Sequence, residues 1–189
     1  LLIDHAWGYE TCRMSDIKNY HSEEHSLSNG QVLMRNYSFD EALVIVREMT
    51  DNLVLDLFEK GLVTSSLTLW IAYDHRYEHE ASKGTVKLER GSNSSKKIID
   101  AVEDLYLRIA DRYTGIRRIE VCANRVAPES YVQYSLFDDP KQTDKERHLQ
   151  EAVLNVKQRY GKNAIMRGSN LLECSTYRER NEQIGDHRA

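Results

Sequence analysis

Cysteine, proline and long apolar runs are all scarce in this sequence. Its 189 residues include 3 Cys and 2 Pro. Cys12, Cys122 and Cys174 lie far apart and are odd in number, which argues against a disulfide framework and predicts a reducing compartment. The longest apolar runs, such as Ala42 to Val46, have five residues, whereas a membrane-spanning helix needs about 20. We therefore expect a cytoplasmic protein without a transmembrane helix. The absence of a charged leader followed by an apolar stretch supports the same expectation.

Patterns typical of catalysis or metal binding are also missing. The GSNSS run at 91–95 lacks the Gly-x4-Gly-Lys-Ser/Thr pattern of a P-loop, and no nucleophile motif is recognisable. His21 and His25, like His75 and His79, have the i, i+4 spacing of metal ligands, but no cysteine or carboxylate constellation completes a site. We therefore expect neither a catalytic residue nor a metal site in this chain.

Charge is segregated along the chain, although the total is nearly balanced. There are 26 basic and 30 acidic residues, and 40% of residues are hydrophobic, enough for one compact domain with appendages. Lys83 to Lys97 carries five positive residues and one negative residue, whereas Ser38 to Lys60 carries two positive and six negative residues. The basic segment favours an anionic partner.

Two segments have the end signals and the spacing of helices. Ser38 and Glu41 have the spacing of a capping box, and Gly61 stands where a glycine ends a helix. The helix predicted between them has an apolar face at Phe39, Ala42, Val46, Met49, Leu53 and Leu57. A second helix is predicted to begin with Ser95 as its N-cap, and its apolar face comprises Ile98, Val102, Leu105, Ile109 and Tyr113.

Four segments have the patterns of strands, at 26–33, 65–73, 84–90 and 116–126. In the second of them Leu67, Leu69 and Ile71 alternate with Thr68, Trp70 and Ala72, as in a half-buried strand. The resulting order, β-α-β-β-α-β, predicts an α+β fold. We expect a two-layer sandwich with a four-stranded sheet, two helices on one face of it, and a helical or irregular C-terminal tail.

The other face of the sheet is predicted to be open, and we call it the open face. Alternation directs toward it Thr68, Trp70, Lys87, Arg118 and Asn124. We interpret the open face as a surface for an anionic ligand, with an ordinary solvated surface as the alternative. The start of the second helix is a further candidate, because its amides with Ser94, Ser95 and Lys96 could hold a phosphate. The alternative there is ordinary N-capping.

The remaining C-terminal residues divide into three segments. Pro128 and Pro140 bracket ESYVQYSLFDD, which lacks helical periodicity and suits an extended peptide that binds in a partner's groove. Thr143 to Arg159 predicts an amphipathic helix, and residues 167–189 are predicted to be irregular or disordered. The stripe expected to dock that helix comprises Leu149, Val153, Val156 and Tyr160.

Several segments, in the same order, resemble the bacterial Y-family, UmuC-like (ImpB/MucB/SamB group) translesion DNA polymerases. LLIDHAWGYETCRMSDIKNY resembles the end of the thumb domain and the linker. SLSNGQVL, LDLFEKGLVT, SNSSKKIIDAVEDLY and IRRIEVCANRV resemble the little finger domain, and YRERNEQIGDHRA resembles the tail of the Gram-positive branch. QYSLF is similar to the Q-x-x-L-F peptide by which bacterial polymerases bind the sliding clamp. The connection at 74–84 is short for this family.

The resemblance implies a domain organisation and a function. Residues 1–22 correspond to the end of the thumb and the linker, 23–127 to the little finger, 128–142 to an extended clamp-binding segment, and 143–189 to a tail. The implied function is sequence-independent DNA binding in DNA repair and damage tolerance, including the SOS response. The implied partners are primer-template DNA and the sliding clamp, with no membrane, and a monomer is expected. The Mg²⁺ of such a polymerase is held by palm carboxylates, which nothing here resembles, so this chain should neither hold a cofactor nor polymerise.

The residues expected to bind DNA or the clamp are identified by their charge and by their position in the sequence. Lys18 and the first-strand residues Ser28, Asn29 and Gln31 lie where the chain leaves the linker, and we expect them to contact the DNA backbone. The other expected DNA contacts are Lys83, Lys87, Arg90, Ser94, Ser95, Lys96, Arg117, Arg118 and Arg125. The expected clamp contacts are Gln133, Leu136 and Phe137.

Two other classes of function have the same predicted topology. An RNA-binding module needs stacking aromatics on its central strands, and GTVKLE at 84–89 has none where the RNP1 pattern requires them. A regulatory small-molecule domain would show a pocket signature, and none is visible. A titration with primer-template DNA, single-stranded RNA and a clamp protein would distinguish the three.

Overall fold

Four long strands and the two helices that pack on their sheet follow the predicted β-α-β-β-α-β order. The computed structural model describes residues 6–8, 12–19, 26–76, 78–130, 139–184 and 187–188. The sandwich consists of β1 (Ser26–Tyr37), α2 (Phe39–Glu59), β2 (Leu62–Tyr73), β3 (Ser82–Ser92), α3 (Ser95–Ile109) and β4 (Ile116–Asn124). It is preceded by α1 (Met14–Asn19) and followed by β5 (Ala127–Pro128), α4 (Pro140–Tyr160), a 3-10 turn (Gly168–Leu171), α5 (Tyr177–Asn181), β6 (Gln183–Ile184) and β7 (His187–Arg188). The predicted α+β fold class is confirmed.

The main sheet has the order β1-β4-β2-β3, and all neighbouring strands are antiparallel. The central strands are therefore β4 and β2, while β1 and β3 form the edges. The short strand β5 pairs with the start of β2. β1 is four residues longer at its C-terminal end than the segment that we predicted at 26–33, and Tyr37 at the end of this extension is buried in the core.

The helices begin where short polar side chains satisfy free backbone N–H groups. Ser38 and Glu41 form the predicted capping box of α2, and Gly61, with φ +62°, follows its last turn. The Arg35 guanidinium, hydrogen-bonded to Glu41, and the Ser38 N–H together lower the pKa of Glu41 to about 2. α3 is capped by Ser94, one residue before the predicted Ser95. Its apolar stripe is also shorter than predicted, because Tyr113 lies beyond the helix and is exposed.

The core lies between the inner face of the sheet and the helices α2 and α3. β2 supplies Leu67, Leu69 and Ile71 and β4 supplies Ile119 and Val121, all fully buried. The helices supply Ile45, Met49, Leu53, Leu57, Ile98, Val102 and Tyr106. Since every second residue of β2 and β4 is fixed in this core, the residues between them must lie on the open face.

The described part of the C-terminal segment packs on α2, and residues 167–184 contain only a short 3-10 turn, a five-residue helix and a two-residue strand, in keeping with the irregular tail that was predicted. Gln150 rather than Leu149 faces the body from α4, and Leu149 and Tyr160 of the predicted stripe are 64% and 67% exposed. Tyr177 is fully buried. The acidic side chains of α2 contribute to this docking, because Arg167 lies 2.6 Å from Asp51 and the Thr176 N–H donates to Glu48. Among the described residues, no helix is long and apolar enough to cross a bilayer.

Gly84 allows β3 to lie close to α3, which generates a stability prediction. A Cβ at Gly84 would lie 2.8 Å from Leu105 Cδ1 and 3.1 Å from Ile109 Cγ2. Gly84→Ala should therefore lower the free energy of unfolding by about 1–3 kcal/mol through overpacking, as measured by urea denaturation. Gly168→Ala is the matched control, since a Cβ there meets nothing within 4 Å. Equal stability of the two variants would contradict the close approach of β3 to α3.

Candidate nucleic-acid interface

Strand pairing arranges the open face in four rows across the sheet. One row joins Ser26, Asn124, Ser66 and Lys87, and the next joins Ser28, Cys122, Thr68 and Thr85. The third row joins Gly30, Glu120, Trp70 and Lys83, and the fourth joins Val32, Arg118 and Ala72. The first two rows therefore form a hydroxyl-rich half, and the other two form a half with an aromatic ring and charged groups.

Hydrogen bonds between strands hold the hydroxyl-rich half. Thr68 Oγ1 lies 2.9 Å from Thr85 Oγ1 on β3, and Asn124 Nδ2 donates to Thr68 Oγ1 at 2.8 Å. The Cys122 thiol donates to Asn124 Oδ1 at 3.2 Å. Burial and the nearby Glu120 carboxylate raise the pKa of Cys122, which keeps the thiol protonated, although Lys83 acts in the opposite direction. This half is a polar floor of short side chains.

The other half combines charge with an aromatic ring. The Arg118 guanidinium lies 5.1 Å from the centroid of the Trp70 ring, within cation–π range. Arg118 Nη2 also lies 3.7 Å from Glu120 Oε2. A shallow depression of about 480 Å³ spans both halves and is lined by Ser66, Thr68, Trp70, Lys83, Thr85, Arg118, Glu120, Cys122 and Asn124.

The open face brings together part of the set of expected DNA contacts. Ser28, Lys83, Lys87 and Arg118 lie on it. Arg90 is exposed in the irregular stretch of β3 where the pairing with β2 shifts, and Arg117 occupies the register irregularity between β2 and β4. Arg125 follows β4 with φ +51°, a left-handed conformation that is uncommon outside glycine. Lys18 is exposed in α1, outside the sandwich.

Asn29 and Gln31 lie on the opposite side of the sheet from Ser28. They pair with Val121 and Ile119, whose side chains are in the core. Gln31 Oε1 accepts hydrogen bonds from the Thr176 hydroxyl at 3.1 Å and from Arg180 Nη1 at 3.2 Å. The two residues therefore lie on the other side of the sheet from Ser28, because successive strand residues face opposite sides. Their expected contact with the DNA backbone stays a prediction.

The start of α3 is engaged by the C-terminal segment. The Ser94 hydroxyl donates to the Glu146 carboxylate, with 2.9 Å to Oε1, and the Lys96 N–H donates to the same oxygen at 2.9 Å. Arg167 Nη2 lies 3.0 Å from Ser95 Oγ. An anion does occupy this helix N-terminus, but it is the protein's own carboxylate. Contacts between DNA and Ser94, Ser95 or Lys96 would need this carboxylate to move.

The helical layer is less acidic at its surface than the sequence of α2 indicates. Glu48 is 1% exposed, and burial raises the pKa of its carboxyl, while hydrogen bonds from Ser175 and Thr176 and the charge of Arg180 act in the opposite direction. Arg167 pairs with Asp51. The cations of the C-terminal segment thus offset part of the negative charge that we expected on this side.

The predicted clamp contacts Gln133, Leu136 and Phe137 lie outside the described residues. The flank that precedes their segment is held by the body. Glu129 accepts hydrogen bonds from Arg147 at 2.7 Å and from Asn93 at 3.2 Å, and its backbone N–H donates to Gly61 O at 2.8 Å. At the other flank, the Asp139 side chain caps α4 by accepting the Lys141 N–H.

Sequence analysis missed Glu120, Thr85 and Ser66, and it did not commit Trp70 as a binding residue. Strand alternation was the signal that could have found them, since each lies one residue from a core position. Residues 84–89, where stacking aromatics are missing, belong to the edge strand β3, whereas Trp70 lies on the central strand β2.

No group of His, Cys, Asp and Glu side chains that could hold a metal ion is found among the described residues. His79 Nε2 lies 2.8 Å from Asp111 Oδ2, a contact that ties the β2–β3 connection to the loop after α3. His21 and His25 lie outside the described residues.

Comparison with known proteins identifies the family. The profile of the impB/mucB/samB family C-terminal domain matches residues 24–136. Since this match covers more than half of the chain, the protein belongs to the impB/mucB/samB family, and the resemblance inferred from its sequence is confirmed.

Sequence identity to individual proteins is low. DNA polymerase IV 2 of Bacillus subtilis (strain 168) is 24% identical over 164 residues, which cover 86% of this chain and 39% of that protein. This chain therefore spans less than half the length of that relative.

Two solved structures are also similar to this chain. One is described as "Complex of beta-clamp processivity factor and little finger domain of PolIV", with TM-score 0.43, 11% identity, and coverage of 60% of this chain and 100% of that chain. The other, "Post-insertion binary complex of Dbh DNA polymerase", has TM-score 0.39, 15% identity, and coverage of 67% and 35%.

The placement of Gln31 generates a prediction about stability. Gln31→Ala removes the acceptor for Thr176 and Arg180, and leaving these partly buried donors without their partner should cost about 1–3 kcal/mol of unfolding free energy. Ser28→Ala, on the exposed side of the same strand, should change it by less than about 0.5 kcal/mol. Chemical denaturation of both variants tests the difference. A larger loss for Ser28→Ala would show that the two faces of β1 are assigned in reverse.

Proposed function

We propose that this chain is the DNA-binding little finger of an error-prone translesion DNA polymerase that acts in DNA repair and damage tolerance. Its ligand is primer-template DNA, bound without reading the base sequence. The observation that carries this proposal is the open face, where cations and hydroxyl groups from four adjacent strands lie on one side of the sheet. Membership in the impB/mucB/samB family supports it.

The mechanism is contact with the sugar-phosphate backbone. Lys83 and Lys87 on the edge strand β3 and Arg118 on β4 offer charged donors to phosphates. The short side chains of the hydroxyl-rich half leave room for a DNA strand between these cations. Such contacts position a duplex but carry no sequence information. This suits an enzyme that must accept damaged bases.

The activity proposed for the parent protein is that of a DNA-directed DNA polymerase. Its Mg²⁺ and catalytic carboxylates would lie in a palm domain outside this chain, which is consistent with the 39% of a DNA polymerase IV 2 that the chain spans. We place the parent in the cytoplasm, as a monomer acting in the response to DNA damage.

We further propose that QYSLF is a sliding-clamp-binding peptide. Gln133 would place its amide in a polar subsite, and Leu136 and Phe137 would enter an adjoining apolar pocket. Burial of each of these two side chains contributes about 1.5–3 kcal/mol before the cost of ordering the peptide. The flank at Glu129 supports this role, because its hydrogen bonds with Arg147 and Asn93 hold that end of the segment at the body's surface.

Loss of cations from the open face should weaken DNA binding. The double variant Lys87→Ala with Arg118→Ala removes two expected phosphate contacts, so the slope of log affinity against log salt should become shallower by about 0.9 per contact. Fluorescence anisotropy with a labelled primer-template over a range of NaCl concentrations measures both quantities. The matched control is Lys141→Ala with Lys145→Ala, which removes two exposed cations from α4. If the two double variants have the same affinity and slope, the open face is not the DNA-binding surface.

Clamp binding is predicted to depend on the peptide alone. Leu136→Ala with Phe137→Ala should abolish binding to a purified clamp without lowering the melting temperature, and a synthetic peptide of Tyr131 to Asp139 should compete with the chain. Surface plasmon resonance and differential scanning fluorimetry measure the two properties. Retained clamp affinity together with a large loss of thermal stability would assign these side chains to a folded core instead.

A further inference from the structure

Trp70 occupies the position from which an aromatic ring can meet a ligand on this sheet. It lies on the central strand β2 and faces the open side, with Glu120 of β4 and Lys83 of β3 as its cross-strand partners. Sheet modules that bind single-stranded nucleic acid carry their stacking aromatics on exposed sheet faces of this kind. The Trp70 ring lines the depression of about 480 Å³, which is within the size range of small-ligand sites.

Arg118 places a second planar group against the Trp70 ring. Its guanidinium lies 5.1 Å from the ring centroid, and its side chain is 51% exposed. A guanidinium that stacks on an aromatic ring is itself planar and can stack against a second ring. Unpaired bases stack on aromatic side chains and on arginine planes, whereas bases inside a duplex offer no free face. This pair therefore suits an unpaired base better than a duplex.

The groups around this surface match the other parts of a nucleotide. The Lys83 ammonium lies on the neighbouring strand, where it can meet a phosphate. The Glu120 carboxylate, 39% exposed, lies on the other side of Trp70 and can accept a hydrogen bond from an exocyclic amine, as carboxylates do from cytosine N4. Thymine lacks such an amine, so Glu120 would disfavour it.

We propose that the depression around Trp70 binds one unpaired nucleotide of single-stranded DNA. The base stacks against Trp70 and Arg118, an exocyclic amine donates to Glu120, and a phosphate contacts Lys83. This inference rests on the proposed function, because membership in a DNA polymerase family is what favours DNA over RNA. It adds a contact to a base where the proposed function includes only contacts to the backbone.

Intrinsic fluorescence provides a direct test with the 189-residue chain. The sequence has two tryptophans, Trp7 and Trp70, so Trp7→Phe leaves Trp70 as the sole reporter. An oligomer of eight dC nucleotides should quench its emission and bind at least about fivefold more tightly than an eight-unit abasic oligomer with the same number of phosphates. Equal affinity and equal quenching for the two oligomers would overturn the proposal, since phosphates alone would then account for binding.

Variants separate stacking from charge. Trp70→Ala should weaken binding of the dC oligomer about tenfold and Trp70→Phe should retain most of the affinity, while affinity for the abasic oligomer stays within about twofold in both. Glu120→Gln should remove the preference for dC over dT, whereas Glu151→Gln, which makes the same charge change on exposed α4, should not. Tighter binding of an RNA oligomer of the same length would overturn the assignment to DNA.

The same titrations distinguish failure of the nucleotide site from failure of the proposed function. If the abasic and dC oligomers bind alike but Lys87→Ala with Arg118→Ala still weakens primer-template binding, only the nucleotide site is wrong. If no DNA binds at all, the proposed function fails as well.

Discussion

Burial of one side of β2 and β4 is the constraint on which the open face depends. Leu67, Leu69 and Ile71 of β2 and Ile119 and Val121 of β4 are held under the two helices without exposed surface. Because the side-chain period of a strand is two, a slip of one residue in either strand would turn its whole set of outer residues into the core. Such a slip would bury charged groups and expose apolar ones. The hydrophobic core therefore fixes which residues face a ligand, although none of its own side chains does so.

The same constraint explains why the outer face has two different halves. Trp70 and Arg118 lie next to buried residues at one end of the central strands, and short polar residues lie next to buried residues at the other end. Hydrogen bonds within the hydroxyl-rich half already satisfy several of its groups, so this half is rigid before any ligand binds. The charged half contains longer side chains, whose positions can adapt to a ligand.

Local patterns were sufficient to predict the elements of the fold. The capping box at Ser38 and Glu41, Gly61 after α2, and the alternation in β2 and β4 are each encoded by residues a few positions apart. Strand order is different, because it depends on which segments meet across the sheet. The sequence of β3 does not show that it is an edge strand, and so an argument about stacking aromatics was applied to the wrong strand. The face of Asn29 and Gln31 was likewise hidden, since polar residues there indicate a solvated side unless their partners in the C-terminal segment are known.

The C-terminal segment illustrates a second limit of sequence analysis. Its contacts with the body join residues about 50 to 150 positions apart and are mostly polar. No apolar stripe in the sequence therefore indicates them. The predicted stripe on α4 is only partly correct for this reason, with Val153 and Val156 half-buried. Leu149 and Tyr160 are exposed, while Gln150 makes the inward contact by donating to Asn93 O. Hydrophobic periodicity locates faces that bury apolar area, and it does not detect docking by ion pairs and hydrogen bonds.

Docking by ion pairs makes this segment sensitive to ionic strength. The pairs of Arg167 with Asp51 and of Arg147 with Glu129 are partly exposed, and added salt screens such charges over distances of about 10 Å at 0.1 M. Salt that weakens contacts with phosphates also loosens the layer that covers the start of α3. A salt titration of the intact protein therefore reports two equilibria, one between molecules and one within the chain. The second is common to all variants that keep these pairs, so differences between variants isolate the first.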